Sequence, residues 1–263
     1  SARDNRYMRM ESAFDAQRAL VQHAALAQAL REDLPVVVFP GDASTPDAMF
    51  PNNVFATAQG RLVVGRMRHA VRQREASRED IRGFFRDVLG YAETDLSQRS
   101  DCVAELTGSL VVDHSRGVGY CGLSERCDMN GARAMHEAFG LRLMFCFELA
   151  ESEYHTNVVL SSLAGRVAII AEDGFRDPDV PREIAAAHGD RAIWLTPEQK
   201  RAYAGNAIAV SEDRVWMSAR AAAALTEAQR AALESWGCRI GAVELDEIEK
   251  AGGSLRCCVA EIF

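Results

Sequence analysis

The chain has 263 residues, 48% of them hydrophobic, and a formal net charge of −8. This length is enough to bury a sizeable core, and no Pro/Gly/Ser-rich linker divides it, so we expect one domain over residues 1–263. The acidic balance argues against a nucleic-acid or membrane-surface partner, and the absence of a long apolar run or an export signal predicts a cytoplasmic protein. The seven cysteines are odd in number and lack a C-x-x-C pair, which argues against a disulfide framework and a structural zinc site.

The predicted elements, taken in chain order, repeat a unit of two strands and a helix. A helical pattern over residues 14–31 comes first. Later helices are bounded by characteristic residues, since Gly140 ends one, Pro181 begins another and Thr226 is the N-cap of a third. The predicted strands cover residues 109–113, 117–122, 157–162, 166–172, 207–210, 214–218 and 256–263, and two of the helices cover residues 130–139 and 181–188.

Short apolar segments recur along the chain at nearly constant spacing. Four of them begin at Gly108, Thr156, Gly205 and Gly253, which are 48, 49 and 48 residues apart, and a fifth copy begins at Asn53. A period of this size is typical of radial or stacked architectures, in which no repeat can bury its apolar face alone. Equivalent strands then converge on an axis, together with the polar residues beside them. We expect the two chain ends to complete one unit and close the ring, which leaves no sheet edge unpaired.

Three residues beside the repeated segments carry the functional groups of thiolate catalysis. Cys257 follows a glycine pair, while His155 and Glu105 each head a repeat, and a cysteine, a histidine and an orienting acid are the parts of a covalent mechanism. Taken singly, a cysteine in a strand is usually a small buried hydrophobe and a lone histidine is usually structural. Their coincidence at equivalent places in a repeat favours a catalytic site. Because side chains alternate along a strand, at most one of Cys257 and Cys258 is expected to face the axis.

Five motifs occur in a fixed order from about residue 45 to the C-terminus. They are residues 45–53 (TPDAMFPNN), Glu105 before Thr-Gly-Ser, residues 122–126 (GLSER), residues 154–157 (YHTN) and residues 252–257 (GGSLRC). This set resembles the motifs of the guanidino-group-modifying superfamily, which includes arginine deiminases, dimethylarginine dimethylaminohydrolases, glycine amidinotransferases and arginine or succinylarginine dihydrolases. The form Pro-Asp-x-x-Phe-Pro-Asn-Asn is most similar to the citrulline-utilisation or arginine-deiminase-related branch. The resemblance implies an α/β fold, the pentein, a five-bladed pseudo-symmetric propeller of ββαβ-like repeats.

The resemblance also implies the catalytic roles. Cys257 would be the nucleophile, His155 the general acid/base, and Glu105 the acid that orients His155 or holds the substrate. The Cys257 thiolate would attack the central carbon of a guanidinium or ureido group, His155 would protonate the departing nitrogen, and water activated by His155 would release the product. A thiol with an unperturbed pKa is mostly protonated at neutral pH, so the imidazolium or a cationic substrate must favour the thiolate. This chemistry requires no metal and no organic cofactor.

Substrate-binding roles are implied for charged residues of the same motifs. Arg126 would bind the substrate α-carboxylate through a two-pronged contact, and Arg72 would assist it or belong to a gating loop. For both arginines the alternative is a solvated surface position. Asp47 would bind the substrate amino group or a guanidino nitrogen. No strand is evident before residues 5–7, where relatives have one, and Asn5 is the residue of this segment expected to reach the site.

Two amides depart from the deiminase pattern. Deiminases normally grip the guanidinium with carboxylates at the positions of Asn53 and Asn157. An amide offers one acceptor and two donors, which suits a neutral ureido group, whereas a carboxylate pair suits a cation. This change favours citrulline, or an enzyme that carries arginine through a ureido intermediate to ornithine, since asparagine at this place also occurs in the dihydrolases. The alternative is that Asn52 and Asn53 merely cap a turn.

We therefore predict a cysteine-dependent hydrolase of the ureido or guanidino C–N bond of a small citrulline-like or arginine-like amino acid. The alternatives are an arginine deiminase or a dimethylarginine dimethylaminohydrolase-like enzyme, and then an amidinotransferase, which usually has a carboxylate two residues after the histidine. A non-catalytic binding protein on the same scaffold, as in the ribosome anti-association factors, is the least favoured. A pure binding module has no reason to retain Cys257, His155 and Glu105 together, and fold alone does not determine function. Relatives are often dimers, so the resemblance leaves a homodimer open.

Overall fold

Four three-stranded sheets of one topology form the β-structure in the computed structural model, which describes residues 7–9 and 13–263. In each sheet the first two strands pair antiparallel and the second and third pair parallel. The strands are β1 (Phe55–Ala58), β2 (Arg61–Val64) and β3 (Ala92–Asp95); β4 (Leu110–Asp113), β5 (Val118–Leu123) and β6 (Leu143–Glu148); β7 (Leu160–Leu163), β8 (Val167–Ile170) and β9 (Ala192–Trp194); and β10 (Ile208–Ala209), β11 (Arg214–Ser218) and β12 (Arg239–Val243).

The parallel pairs require crossover connections, and helices supply them. One or two helices lie between the second and third strand of every sheet. None of the helices in the described residues is long and apolar enough to cross a membrane. The helices are α1 (Ala16–Leu30), α2 (Ala70–Gln73), α3 (Glu79–Gly83), α4 (Leu106–Ser109), α5 (Met129–Phe139), α6 (Thr156–Val159), α7 (Val180–Ala187), α8 (Pro197–Arg201), α9 (Ala219–Ala224) and α10 (Glu227–Ser235).

Local side-chain chemistry accounts for the helix ends that the sequence predicts. Asp128 caps α5 by accepting a hydrogen bond from the Gly131 N–H at 2.7 Å, and Gly140 ends the helix in the left-handed region with φ 61°. Thr226 forms a capping box with Gln229 at the start of α10, which confirms its predicted role. The first two strands of the second sheet also lie within one residue of their predicted positions.

The apolar core is densest around the third sheet. All four residues of β8 are buried, and they pack with Ile184 from α7 and with Val158 from α6. A strand covered on both faces loses the alternation of polar and apolar residues, which explains the continuous apolar run of β8. The valine and isoleucine side chains of β8 each stabilise the folded state by roughly 1.5–3 kcal/mol because they are removed from water. This sheet is therefore a rigid support for the turn that precedes it.

Four of the five repeated segments are turns that precede the first strand of a sheet, and the fifth is a turn that precedes the C-terminal tail. Four of these turns are helical, namely Pro51–Asn53, α4, α6 and Leu255–Cys258, and residues 205–207 form the other one. They approach one another closely: a Cβ on Gly108 would lie 2.3 Å from Asn53 Oδ1, and one on Gly205 would lie 2.4 Å from the Val158 carbonyl oxygen. Only glycine fits at such distances, so the recurrence of glycine reflects convergence at the axis.

Two predicted strands are corrected by the structure. Residues 156–159 form the helical turn α6, with the Val158 N–H bonded to the His155 carbonyl, although their β-branched composition is typical of a strand. Of residues 256–263, the first three belong to the 3-10 turn Leu255–Cys258, and the remaining five form a tail outside any sheet. The tail is held by a side chain rather than by a strand ladder, since Thr57 Oγ1 donates to the Glu261 carbonyl at 2.9 Å and accepts from the Phe263 N–H at 3.0 Å.

Candidate active site

A small cavity lies where the turns converge. Six of the predicted site residues line it, and among the described residues Asn52, Glu105 and Asn157 are buried outside its wall. Asn5 lies outside the described residues. The lining residues are Met8, Asp47, Phe50, Asn53, Arg72, Arg126, Tyr154, His155, Ala251, Gly252, Gly253 and Cys257.

Cys257 reaches the cavity because of a turn and not because of strand alternation. Its N–H donates to the Ser254 carbonyl at 3.0 Å within the 3-10 turn, and the side chain is 2% exposed. Cys258, the next residue, is not among the described residues of the cavity wall. The prediction that one cysteine of the pair faces the axis is therefore right, although the strand argument behind it is wrong.

Two asparagine amides contact the Cys257 sulfur. The Nδ2 atoms of Asn157 and Asn206 lie 3.6 Å and 3.4 Å from Sγ. Burial raises the pKa of the Cys257 thiol, and a backbone hydrogen bond at Ser254, the two amides and the charge of Arg256 oppose that effect. The unliganded site thus holds a thiol, and a bound cation would favour the thiolate. The sequence reasoning missed Asn206, although it lies in the repeated segment that begins at Gly205.

His155 and Glu105 form a buried pair. His155 Nε2 lies 2.8 Å from Glu105 Oε2, and the other carboxylate oxygen accepts the Arg68 N–H at 3.0 Å. Burial raises the pKa of Glu105, but the hydrogen bond from His155 and the charges of His155, Arg126 and Arg72 outweigh this effect and hold that pKa at about 2. Glu105 is consequently a carboxylate at neutral pH.

The histidine has the protonation state of a general base. Burial lowers the pKa of His155, and the charges of Arg126 and Arg72 lower it further against the raising effect of Glu105. An ionised carboxylate only accepts hydrogen bonds, so Nε2 of the neutral ring carries the proton and Nδ1 is left as the acceptor. A Cβ on Gly108 would lie 2.9 Å from Nδ1, so the ring needs glycine at that position.

Arg126 lies in the cavity wall and is almost fully buried. Its Nη1 is 3.3 Å and 3.4 Å from the two Glu105 oxygens, and its Nε donates to Glu125 at 3.2 Å. The guanidinium also lies over the Tyr154 ring, 5.8 Å from its centroid. The solvated surface position considered for this arginine is therefore wrong, and a cation faces the substrate cavity.

Arg72 is a second buried cation in the wall. Its Nε and Nη2 donate to the two carboxylate oxygens of Glu75 at 2.9 Å and 2.8 Å, and Nη2 also donates to the Phe50 carbonyl at 3.0 Å. In the part of the chain that the structure describes, Nη1 forms no hydrogen bond. The surface alternative is wrong here too, because the Glu75 carboxylate fixes this guanidinium inside the protein.

The 45–53 motif supplies one charged and two amide side chains. Asp47 and Asn53 line the cavity, and Asn52 is fully buried behind them. Among the described residues, Asn53 Oδ1 and both polar side-chain atoms of Asn52 have no hydrogen-bond partner, and neither side chain caps the turn Pro51–Asn53. The turn-capping alternative is therefore wrong. A buried amide without a partner is costly, which is consistent with a ligand-binding role.

Asn157 is turned toward the protein and not toward the cavity. Its Nδ2 donates to the Thr107 carbonyl at 3.1 Å and contacts the Cys257 sulfur. In this position it contacts the Cys257 sulfur and does not line the cavity. No group of three His, Cys, Asp or Glu side chains suited to a metal ion is present in residues 7–9 and 13–263.

The arrangement combines a cysteine, a neutral histidine backed by a carboxylate, and two cations in one buried cavity. Residues 1–263 match the family model described as N,N dimethylarginine dimethylhydrolase, eukaryotic. The chain belongs to this family. This match confirms the predicted guanidino-group-modifying superfamily. It also confirms, at the level of the family, the prediction of a hydrolase that acts on guanidino C–N bonds.

One bacterial protein and several solved structures are similar to this chain. The chain is 24% identical over 243 residues to the uncharacterized protein YkgA of Bacillus subtilis (strain 168), which covers 92% of this chain and 79% of that protein. The arginine dihydrolase ArgZ of cyanobacteria superposes with a TM-score of 0.85 at 20% identity over 98% of this chain, which spans only 38% of the ArgZ chain. An adduct of a dimethylarginine dimethylaminohydrolase variant with S-methyl-L-thiocitrulline superposes with a TM-score of 0.77 at 22% identity, over 97% of this chain and 92% of that chain. At these identities the structural likeness establishes the fold.

Proposed function

We propose that this protein is a hydrolase that cuts a C–N bond in the guanidino or ureido group of an arginine-like amino acid through a covalent intermediate on Cys257. The observation that carries the proposal is that Cys257, His155 and Arg126 line the same cavity and that Glu105 is hydrogen-bonded to the histidine. Membership of a family described by dimethylarginine hydrolysis supports the same reaction class.

Substrate orientation follows from the charges of the cavity wall. The Arg126 and Arg72 guanidinium groups suit an α-carboxylate, and the Asp47 carboxylate suits an α-amino group or a guanidino nitrogen. The two charged groups on the α-carbon of a free amino acid are then held, and the side chain extends toward Cys257. The cations also lower the pKa of His155, which keeps its ring able to accept a proton.

The chemical steps use only these residues and water. The proton of the Cys257 thiol passes to Nδ1 of His155, and the sulfur forms a bond to the central carbon of the guanidino or ureido group. The imidazolium, stabilised by Glu105, returns that proton to the departing nitrogen as the C–N bond breaks, which leaves a thiouronium or thiocarbamate. Water then adds to the carbon as His155 takes its proton, and the C–S bond breaks to restore the thiol and release the product.

The amide at position 53 favours a ureido group. Its Oδ1 has no partner among the described residues, and an amide supplies both a donor and an acceptor to a group that has a carbonyl and amino hydrogens. We therefore propose citrulline, or arginine cut twice through a ureido intermediate, as the substrate. ArgZ, a relative of the same fold, is an arginine dihydrolase. Hydrolysis of dimethylarginine is the second candidate, because the family description favours it.

The proposal includes a five-bladed pentein ring formed by one domain over residues 1–263. Leu26 and Leu30 of α1 share an apolar cluster with Trp216 and Val243 of the fourth sheet, and the C-terminal tail is bonded to Thr57 of β1. Segments near both chain ends thus contact the first and fourth sheets, which supports the closure of the ring. The seven free cysteines support a reducing, cytoplasmic location.

A mass-spectrometric product assay tests the function. The purified protein is incubated with arginine, citrulline, N-acetylcitrulline, dimethylarginine and agmatine, beside the Cys257→Ala variant. Ornithine from citrulline or arginine is the expected product and requires Cys257. Citrulline accumulating from arginine would make the protein a deiminase, and citrulline with dimethylamine from dimethylarginine would support the second candidate. No turnover of any substrate, with all seven thiols equally reactive, would favour a binding protein instead.

A further inference from the structure

Asn206 is a fully buried amide with no place in the mechanism so far. Its Nδ2 lies 3.4 Å from Cys257 Sγ and 2.8 Å from the Asn157 carbonyl oxygen. Within the described residues its Oδ1 has no partner, so its side-chain hydrogen bonds all run through Nδ2. A purely structural amide at this depth would be expected to satisfy both of its polar atoms.

The backbone that carries Asn206 is constrained at three points. Tyr203 adopts a positive φ of 63°, which is costly for a bulky residue, and its carbonyl accepts the Asn206 N–H at 2.8 Å. Gly205 lies so close to the Val158 carbonyl that a Cβ would clash. On the other side, Ser161 Oγ donates to the Gly205 carbonyl at 2.7 Å and accepts the Ala207 N–H at 3.2 Å. Backbone strain of this kind persists where the surrounding contacts over-determine it.

We propose that Asn206 is a further catalytic residue, which positions the Cys257 sulfur and stabilises its thiolate through an N–H···S hydrogen bond. This role rests on the proposed function of Cys257 as the nucleophile. One N–H of Asn206 is directed to the Asn157 carbonyl, which orients the amide and leaves the second N–H for the sulfur.

Asn206 is better placed for this role than Asn157. Each amide also donates to a backbone carbonyl, but Asn206 Nδ2 lies 3.4 Å from the sulfur and Asn157 Nδ2 lies 3.6 Å from it. In addition, Asn157 Oδ1 lies 3.8 Å from the sulfur and can accept the S–H of the neutral thiol. The Asn206 side chain also donates a hydrogen bond to the backbone carbonyl of Asn157, whose own side chain contacts the same sulfur. The two asparagines are therefore linked to each other and to Cys257 Sγ. A hydrogen bond to a charged acceptor is stronger than one to a neutral acceptor, so the N–H bond favours the thiolate over the thiol.

The electrostatic background of the sulfur is the same in any uncharged Asn206 variant. Arg256 belongs to the same turn as Cys257, and Asp47, Arg72, Arg126 and His155 line the shared cavity. None of these charged or titratable side chains is altered by a substitution at position 206. A change in the pKa of the thiol can therefore be assigned to the lost donor.

The test is the pH dependence of alkylation of Cys257 by iodoacetamide, measured by peptide mass spectrometry on the full chain. Wild type is compared with Asn206→Ala, with Asn206→Leu, which keeps the branched shape of the side chain without its polar atoms or any charge, and with Asn130→Ala at an exposed position of α5. We expect the apparent pKa of Cys257 to rise by about one unit in both Asn206 variants and to stay unchanged in Asn130→Ala. The value of kcat should fall about tenfold in Asn206→Ala with little change in KM.

The outcomes separate this inference from the proposed function. A wild-type pKa for Cys257 in Asn206→Leu overturns the role of Asn206, and this variant decides the question even when Asn206→Ala does not fold. A Cys257→Ala variant that turns over substrate as fast as the wild type overturns the nucleophile itself, and the inference with it. A Cys257 whose removal abolishes turnover and whose pKa rises in Asn206→Leu supports both.

Discussion

Glu105 and His155 occupy the same position in two successive repeats, and their side chains meet at 2.8 Å. Each is the residue immediately before the helical turn, α4 or α6, that leads into the first strand of its sheet. Residues separated by 50 positions in the chain therefore face each other because neighbouring repeats place equivalent positions side by side at the axis. The repetition of one local structure thus brings the Glu105 carboxylate and the His155 imidazole together.

Removal of the nucleophile should abolish turnover without unfolding the protein. We expect Cys257→Ala to lose at least about 1,000-fold in kcat, because no other group in the cavity can form the covalent intermediate. Cys258→Ala is the matched control, since Cys258 lies in the same turn outside the cavity wall of the described residues. Mass spectrometry of the wild type during turnover should detect an adduct on Cys257, and equal activity losses in the two variants would contradict the assignment.

Glu105→Gln should lower kcat more than it raises KM. The neutral amide is isosteric but no longer stabilises the imidazolium that forms when His155 accepts the thiol proton, so a loss of about 100-fold is expected. The rising limb of the kcat/KM profile, which reports the protonation of the base, should move to lower pH because the pKa of His155 falls without the carboxylate. An unchanged pH profile would contradict the pairing.

The same pair predicts how stability depends on pH. The pKa of Glu105 is about 2 in the folded protein, below its ordinary value of 4.5, so the unfolded chain binds more protons between these values. The stabilisation is present above pH 4.5 and is lost as the pH falls toward 2, an effect of about 3 kcal/mol. Urea unfolding at pH 7 and pH 3 should show about 2 kcal/mol of this loss in the wild type and a smaller loss in Glu105→Gln; equal losses would disprove the contribution.

Arg126→Gln should lower kcat/KM for substrates that carry an α-carboxylate. A charge-assisted contact of this kind accounts for a 10- to 100-fold effect on kcat/KM, by an order-of-magnitude estimate of roughly 1.5–3 kcal/mol. Agmatine lacks the carboxylate and is the internal control, because its kcat/KM relative to arginine should rise in the variant. A uniform loss on both substrates would instead indicate that Arg126 acts through its contact with Glu105.

Asn53→Asp should shift the preference from ureido to guanidinium substrates. A carboxylate in this wall position gives a cation a charge-assisted bond, which is about twice as strong as a neutral one. We expect the ratio of kcat/KM for arginine over citrulline to rise about tenfold, measured on the same protein preparation. Asn52→Asp is a useful comparison, since Asn52 is buried behind the cavity wall; the same shift in both variants would disprove the specific role of position 53.

Convergence of the turns can be tested through stability. A Cβ at position 205 would lie 2.4 Å from the Val158 carbonyl oxygen, whereas one at Gly41 would meet nothing within 4 Å. We expect Gly205→Ala to lower the free energy of unfolding by about 1–3 kcal/mol and Gly41→Ala to leave it nearly unchanged, as measured by urea denaturation. A neutral Gly205→Ala would show that the inner turns have room to separate.

Much of the secondary structure could be predicted because its signals are local. The predicted cap Thr226 and the predicted terminator Gly140 act through bonds that span at most four residues. The errors occurred at the axis: residues 157–162 and 256–263 are apolar and β-branched, but their first residues form helical turns. The packing of neighbouring turns overrides strand propensity there.

By itself the sequence determined the repeat of about 48 residues, the helix ends and the chemical types at the site, including Cys257, His155 and Glu105. Only the tertiary structure decided that Arg72 is held by Glu75, that Asn157 faces the sulfur rather than the cavity, and that Asn206 contacts the nucleophile. The reason is physical. Caps and turns depend on bonds between near neighbours, whereas the contacts at the axis join residues 50 to 100 positions apart, and the burial created by that packing sets their protonation.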